Sequence, residues 1–252
     1  TSWLNPDEAY EAALTGFVGA ILDRARSPEF IAAFEVFIRR VALLGALNSL
    51  SQLALKAMVP GVPDIYQGAE FWDLSLVDPD NRRPVDFDTR VAALAALDAP
   101  DWRGLAEQWE HGRIKLALMR KLLGLRTRLA PVFQQGTYLP IEVRGTHRDH
   151  VVAFARRYDR DAVIVAVGRH MASLTGNGVH WPRGAEWDAT LVVNGFQVTS
   201  DQLVPERKLP AAELPVAQLF ADLPVAVLRA RQSSTAGRIG KRRAAAVPAT
   251  VA

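Results

Sequence analysis

Ten side chains between positions 66 and 83 carry most of the chemistry this chain can offer: Tyr66, Gln67, Glu70, Phe71, Trp72, Asp78, Asp80, Asn81, Arg82 and Arg83. Beyond Gly68 the stretch holds two aromatics, five acids (Glu70, Asp73, Asp78, Asp80, Asp86) and two adjacent arginines. Carboxylates and amides accept or donate hydrogen bonds, and a guanidinium can grip a carboxylate through two of them. Long loops with that mixture seldom serve only as connectors. Each residue also has a plain structural use. Tyr66 could be a core tyrosine, Phe71 and Trp72 packing anchors, and Glu70 an acceptor for loop backbone. Asp78, Asp80 and Asn81 lie in a good turn sequence. One of Arg82 and Arg83 fits a buried ion pair holding the loop.

The elements around this loop follow from periodicity and punctuation. Pro60-Gly61 opens a turn, Val62 to Tyr66 is short and mostly apolar, and Gly68 ends it, which predicts one buried strand. Asp64 inside such a strand requires a partner or a proton. Upstream, Asn5-Pro6 reads as a cap and first helical position, and Leu14, Phe17, Val18, Ile21 and Leu22 predict a helix to about Arg24. Ser27-Pro28-Glu29 starts a second helix, whose stripe from Phe34 through Leu55 covers so much circumference that it expects neighbours on more than one side. Another helix begins near Trp102. From Trp109 to Leu129, Ile114, Ala117, Leu118, Leu122 and Leu125 share a face, with Lys115, Arg120, Lys121 and Arg126 largely away from it.

After Pro131 the period shortens. Tyr138–Val143, His150–Arg156, Ala162–Val167, Thr190–Val193 and Val225–Leu228 are β-like runs separated by Asp159-Arg160-Asp161, Gly176-Asn177-Gly178 and Asn194-Gly195. Such spacing predicts an all-β sandwich. The segment after Arg231 has no aromatics and reads as a disordered tail.

Composition excludes several functions. The chain has 252 residues, no cysteine and a formal charge of +3, so disulfide frameworks and thiolate metal sites are impossible. The six basic residues from Arg229 onward outweigh that charge, so the basic balance belongs to the end of the chain and gives no case for a nucleic-acid partner. No apolar run is long enough for a bilayer, and no signal segment opens the chain, which fits a cytoplasmic protein without a membrane partner. His111, His147, His150, His170 and His180 lack helical metal spacing, so neither metal nor other cofactor is expected.

The run Pro60-Gly61-Val62-Pro63-Asp64-Ile65-Tyr66-Gln67-Gly68-Ala69-Glu70, continued by Trp72-Asp73-Leu74-Ser75-Leu76-Val77-Asp78-Pro79-Asp80-Asn81-Arg82-Arg83-Pro84-Val85-Asp86, resembles the eighth-strand region of the α-amylase superfamily. Together with Thr1–Tyr10, it is similar to the maltooligosyltrehalose synthase family within it, over about Thr1 to Leu129. The resemblance implies an α+β chain: the C-terminal end of a (β/α)8 barrel, comprising strand eight and adjoining helices, followed by an antiparallel β-sandwich. The expected domains are barrel (1–130), sandwich (131–230) and basic tail (231–252). It implies an isomerase that turns the reducing-end α-1,4 linkage of a maltooligosaccharide into an α,α-1,1 linkage by intramolecular transfer. The loop would line the sugar site: Tyr66, Phe71 and Trp72 against rings, the acids and amides on hydroxyls, Arg82 or Arg83 on a carboxylate. The family's nucleophile, general acid and third carboxylate come from strands whose motifs are absent here, so no catalytic residue is assigned. The expected partners are the maltooligosaccharide and a missing N-terminal barrel segment; the chain by itself should be inactive and prone to self-adhesion. Two other readings stand beside this one: part of a glucan hydrolase of the same superfamily, and a carbohydrate-binding module without catalysis.

Overall fold

Asp7, rather than Asn5, caps the first helix. Its carboxylate accepts the Tyr10 backbone N–H at 3.0 Å, and helix α1 runs over Glu8–Leu22. Asn5 is instead tied back to Ser2, whose hydroxyl accepts the Asn5 N–H, so the earlier position is spent in a turn. The computed structural model describes residues 1–78, 80–97, 99–210 and 213–233. Helix α2 (Pro28–Met58) starts with proline in its first turn, as the sequence predicts. Then come α3 (Phe87–Ala95), α4 (Trp102–Glu107), α5 (Arg113–Arg128) and α6 (Ala130–Gln134).

The two halves of α2 live in different surroundings. Leu43, Ala46, Leu47, Leu50, Leu53, Ala54, Ala57 and Met58 are buried against α5 and the β part, whereas Phe34, Val36, Phe37, Ile38 and Val41 face outward. Complete burial of a leucine such as Leu47 or Leu50 is worth roughly 2 kcal/mol of transfer free energy. Little of that accrues to Phe17 or Phe37, each 61% exposed. The second half of α2 therefore anchors the helix; α1 has no buried residue at all. The expectation that α2 is covered on several sides holds only from Leu43 on.

The chain then enters strands β1 (Thr137–Pro140), β2 (Glu142–Arg144), β3 (Val151–Tyr158), β4 (Asp161–Gly168), β5 (Thr190–Val192), β6 (Phe196–Asp201) and β7 (Glu213–Pro215). The short helix α7 (Val216–Leu219) and strand β8 (Val225–Gln232) follow. Two antiparallel sheets result, with orders β1-β3-β4-β8-β6 and β2-β5-β7. The run Tyr138–Val143 is not one strand. Pro140 ends β1, Ile141 bridges with its N–H on Ala153 O at 3.0 Å, and β2 joins the other sheet. β6 and β7 escape the sequence reading because β6 carries apolar residues only at Phe196 and Val198 and β7 is three residues long.

One face of the larger sheet (Phe154, Val163, Val165, Val167, Val225, Val227) packs with the helices. The other (Ala153, Ala155, Ile164, Ala166, Leu228, Ala230) packs with the smaller sheet and with Trp187, Leu191, Leu214 and Phe220. Burial on both faces explains why β4 and β8 read as continuous apolar runs. Arg229 and Arg231 lie in β8, with Arg229 on Asp161 at 2.7 Å, so the tail cannot begin at 231; its remaining residues, 234–252, lie outside the described ones.

One expectation fails here. The segment 62–66 is not a buried strand: it forms no ladder among the described residues, and Val62 is 93% exposed. A strand needs backbone partners on at least one edge, and its neighbours here are helices whose own ladders are complete. Asp64 is consequently exposed, and the demand that a buried acid would make does not arise.

Side chains, not a ladder, secure this junction. Arg126 donates to Ala57 O and Gly61 O, both at 2.7 Å, and Lys56 Nζ donates to Asp64 O at 3.0 Å. Arg156, 2% exposed, donates to Met58 O, Phe133 O and Gly136 O, capping the C-terminal ends of α2 and α6. Replacing Arg156 by Ala strands these three carbonyls in the core. The expected loss is about 3 kcal/mol, read as a lower urea midpoint in equilibrium unfolding; an unchanged midpoint would contradict the assignment. The outward apolar side of α1 and early α2 predicts that the purified 252-residue chain self-associates at micromolar concentration in light scattering. A monodisperse monomer would refute that.

Candidate functional site

The loop that follows α2 is pinned at its hinge points and open at its tip. Gly68 adopts φ 90° and Gly112 φ 71°, conformations that other residues rarely accept. At Gly112 a Cβ would also stand 3.1 Å from Phe71 Cβ and from the Trp72 backbone nitrogen. The turn into α5 and the loop thus touch backbone to backbone. Trp72 Nε1 donates to Trp109 O at 2.7 Å, and Lys115 Nζ donates to Phe71 O at 3.0 Å while lying 5.7 Å from the Trp72 ring centre. Burial pushes the Lys115 pKa down, and the Asp73 and Glu70 carboxylates pull it back up.

Across the loop, Arg90 of α3 completes the hold. Its Nε donates to Glu70 Oε2 at 2.8 Å, one terminal nitrogen to Gly68 O at 2.8 Å and the other to Asp86 O at 2.9 Å. The guanidinium also lies 5.2 Å from the centre of the Phe71 ring. Asp86 caps α3 by accepting from the Thr89 N–H and hydroxyl, and those bonds keep its carboxyl below the usual range. Asp73 is held low in the same way by Ser75.

The sequence-derived site residues therefore fall into three groups. Tyr66 and Gln67 are exposed on the open side of the segment. Phe71 and Trp72 are half-buried and wedge inward, and Glu70 pairs with Arg90 instead of with loop backbone. Asp78 pairs with Arg82 and Asp80 with Arg83 around a 3-10 turn at Asp80–Arg82, where Asp80 also accepts the Leu76 N–H. Both arginines are mostly exposed, so neither forms the buried pair expected of one of them. Asn81 Oδ1 is buried without a hydrogen-bond partner among the described residues. The structure thus brings Glu70, Phe71 and Trp72 together and leaves the 78–83 turn largely self-paired.

Behind residues 65–69 lies a small cavity of about 130 Å³ lined by Ser49, Gln52, Lys56, Ile65, Lys115 and Met119, among others. A larger cleft of about 860 Å³ starts at Phe71 and runs between α3 and α4. No cluster of three or more potential metal ligands occurs among the described residues, and no helix there is long and apolar enough to cross a membrane. Sequence reasoning missed Arg90, Lys115, Trp109 and Arg126. Each acts across 20 or more positions, as the Arg90–Glu70 bond does, and no local spacing announces such contacts.

No protein-family model matches the chain. Two Mycobacterium tuberculosis proteins, from different strains and both named "Putative maltooligosyl trehalose synthase", are 37% identical to it over 234 residues. The match takes in 90% of this chain and 26% of theirs, so the chain spans about a quarter of the length of these curated relatives. The solved maltooligosyltrehalose synthase of Arthrobacter ramosus superimposes with a TM-score of 0.71 at 31% identity, and a point mutant of it with 0.74 at 33%. Each superposition takes in 91% of this chain and 28% of the other. In sequence and in fold, then, this chain is similar to maltooligosyltrehalose synthases, and a C-terminal portion of such an enzyme fits that coverage.

Proposed function

We propose that this chain is the C-terminal portion of an enzyme that rearranges the reducing end of a maltooligosaccharide, converting its α-1,4 linkage into an α,α-1,1 trehalose linkage. The observation that carries this reading is the 37% identity over 90% of the chain to proteins named for that activity. In this reading residues 1–130 finish a (β/α)8 barrel, residues 131–230 form a β-sandwich, and segment 62–66 becomes the eighth strand once barrel neighbours supply its ladder. Its unpaired backbone and the outward apolar side of α1 and early α2 support this, since both are surfaces that neighbours would cover.

The reaction divides the labour. Carboxylates outside this chain break the α-1,4 bond: one bonds to the sugar C1 while a protonated acid gives its proton to the departing glucose oxygen. The freed glucose turns, and its anomeric hydroxyl attacks C1, displacing the bonded carboxylate and giving its proton to the group that first acted as acid. Water would win that competition if it reached C1, so the walls around the free glucose decide the product. The loop of this chain supplies such walls. The exposed ring of Tyr66 offers an apolar face, the inward Trp72 sets the depth of the loop behind it, and Gln67, Glu70, Asp78 and Asp80 offer hydrogen bonds to hydroxyls. Arg82 and Arg83, paired within the turn with Asp78 and Asp80, hold those carboxylates in place.

Two outcomes test this. The complete protein encoded with this chain, incubated with maltopentaose, should yield a non-reducing product of the same mass. Release of glucose and shorter maltooligosaccharides alone would identify a hydrolase instead. The 252-residue chain by itself should turn over none, and measurable conversion by it would overturn the assignment of the acids to the missing part.

A further inference from the structure

Arg90 stands out because it binds four parts of the loop at once and belongs to none of the sequence motifs. Its three hydrogen bonds join Glu70, Gly68 and Asp86, and its flat face covers Phe71. Glu70 uses only Oε2 in that pair; Oε1 has no hydrogen bond among the described residues. The pair is not sealed in the core, with 18% of the Arg90 side chain and 23% of that of Glu70 still exposed. The one-oxygen contact leaves Oε1 as an acceptor beside the loop surface.

We propose that Arg90 is a positioning residue for product partition: it holds Glu70 by one carboxylate oxygen, with Oε1 turned free to accept a hydroxyl of the released glucose, and fixes Phe71 beside it. The proposal rests on the trehalose-forming reading above. Lysine cannot replace this function, since one ammonium cannot reach Glu70, Gly68 O and Asp86 O along a planar fork.

The test uses the complete protein and reads the ratio of non-reducing product to released glucose from maltopentaose. That ratio belongs to each active molecule, so partial misfolding scales both products together and leaves it unchanged. Arg90→Ala should lower the ratio about tenfold, because misplacing a glucose contact by an ångström is enough to cost an order of magnitude or more. Arg90→Lys should fall between wild type and Arg90→Ala. Glu70→Gln keeps the shape of the carboxylate but loses its charge, and it should lower the ratio while raising KM less than it lowers transfer. The double variant Arg90→Ala/Glu70→Gln should be no worse than Arg90→Ala, as expected of two residues acting as one unit. Should Arg90→Ala fail to express, Glu70→Gln and Arg90→Lys carry the test. An unchanged ratio in those two variants overturns the proposal. A wild-type protein that makes no non-reducing product defeats the parent reading instead, so the two failures are distinct.

Discussion

The carbonyl ends of the helices set the terms for this structure. An α-helix leaves its last carbonyls without partners and its C-terminus partly negative. Here α2 and α6 end inside the molecule and α3 beside it, where water cannot serve them all. Cations do so instead: Arg126 on Ala57 O, Arg156 on Met58 O and Phe133 O, and Arg120 on Leu94 O and Leu97 O. None of these acceptors is a carboxylate. Burial accordingly pushes the pKa values of Arg126 and Arg156 down, and the close approach of the two cations lowers that of Arg156 further. Neither comes near losing its proton at neutral pH, because guanidinium starts so high. The charge is kept where several carbonyl dipoles converge.

That junction is where the loop departs. The same α5 that caps α2 through Arg126 holds the loop through Lys115 and meets it backbone to backbone at Gly112. The β part joins in through Arg156 and through Ser51, whose hydroxyl reaches Gly168 O at 2.8 Å. Trp102 of α4 adds a buried bond to Leu203 O. Helices and sheet are therefore not two units sharing a linker; they share one core and a set of polar ties. A change at Arg156 would reach the loop through the last turn of α2, without touching any loop residue.

Local features were legible from the residues. Ser27-Pro28 marks the start of α2, the Ile114–Leu125 stripe marks the buried side of α5, and Asp159 at φ 49° turns β3 into β4 where Asp159-Arg160-Asp161 predicts it. Features that depend on distant partners were not. Val62–Tyr66 has the composition of a strand, but composition cannot supply a neighbouring ladder. The basic residues of α5 look like a solvated face, yet Lys115, Arg120 and Arg126 turn back onto carbonyls 44, 23 and 69 positions away. The candidate site shows the same division. Its residue types were visible in the sequence, whereas the pairing of Glu70 with Arg90 required the fold.

The arrangement of the loop also bears on how a site can be rigid before its surroundings are complete. Phe71 and Trp72 spend their apolar area inward, against Arg90, Trp109 and Lys115, so they fix the loop's depth. The acids further on are tied to arginines three or four positions away, which costs little entropy because the turn already brings them together. Among the described residues Tyr66, Gln67 and one oxygen of Glu70 remain without such ties, as does the buried Asn81 Oδ1. A loop that satisfies most of its own polar groups can keep its shape while its edge backbone waits for neighbours. The order of dependence then runs from helix end to loop to ligand, so the groups that shape the site most strongly are those farthest from it.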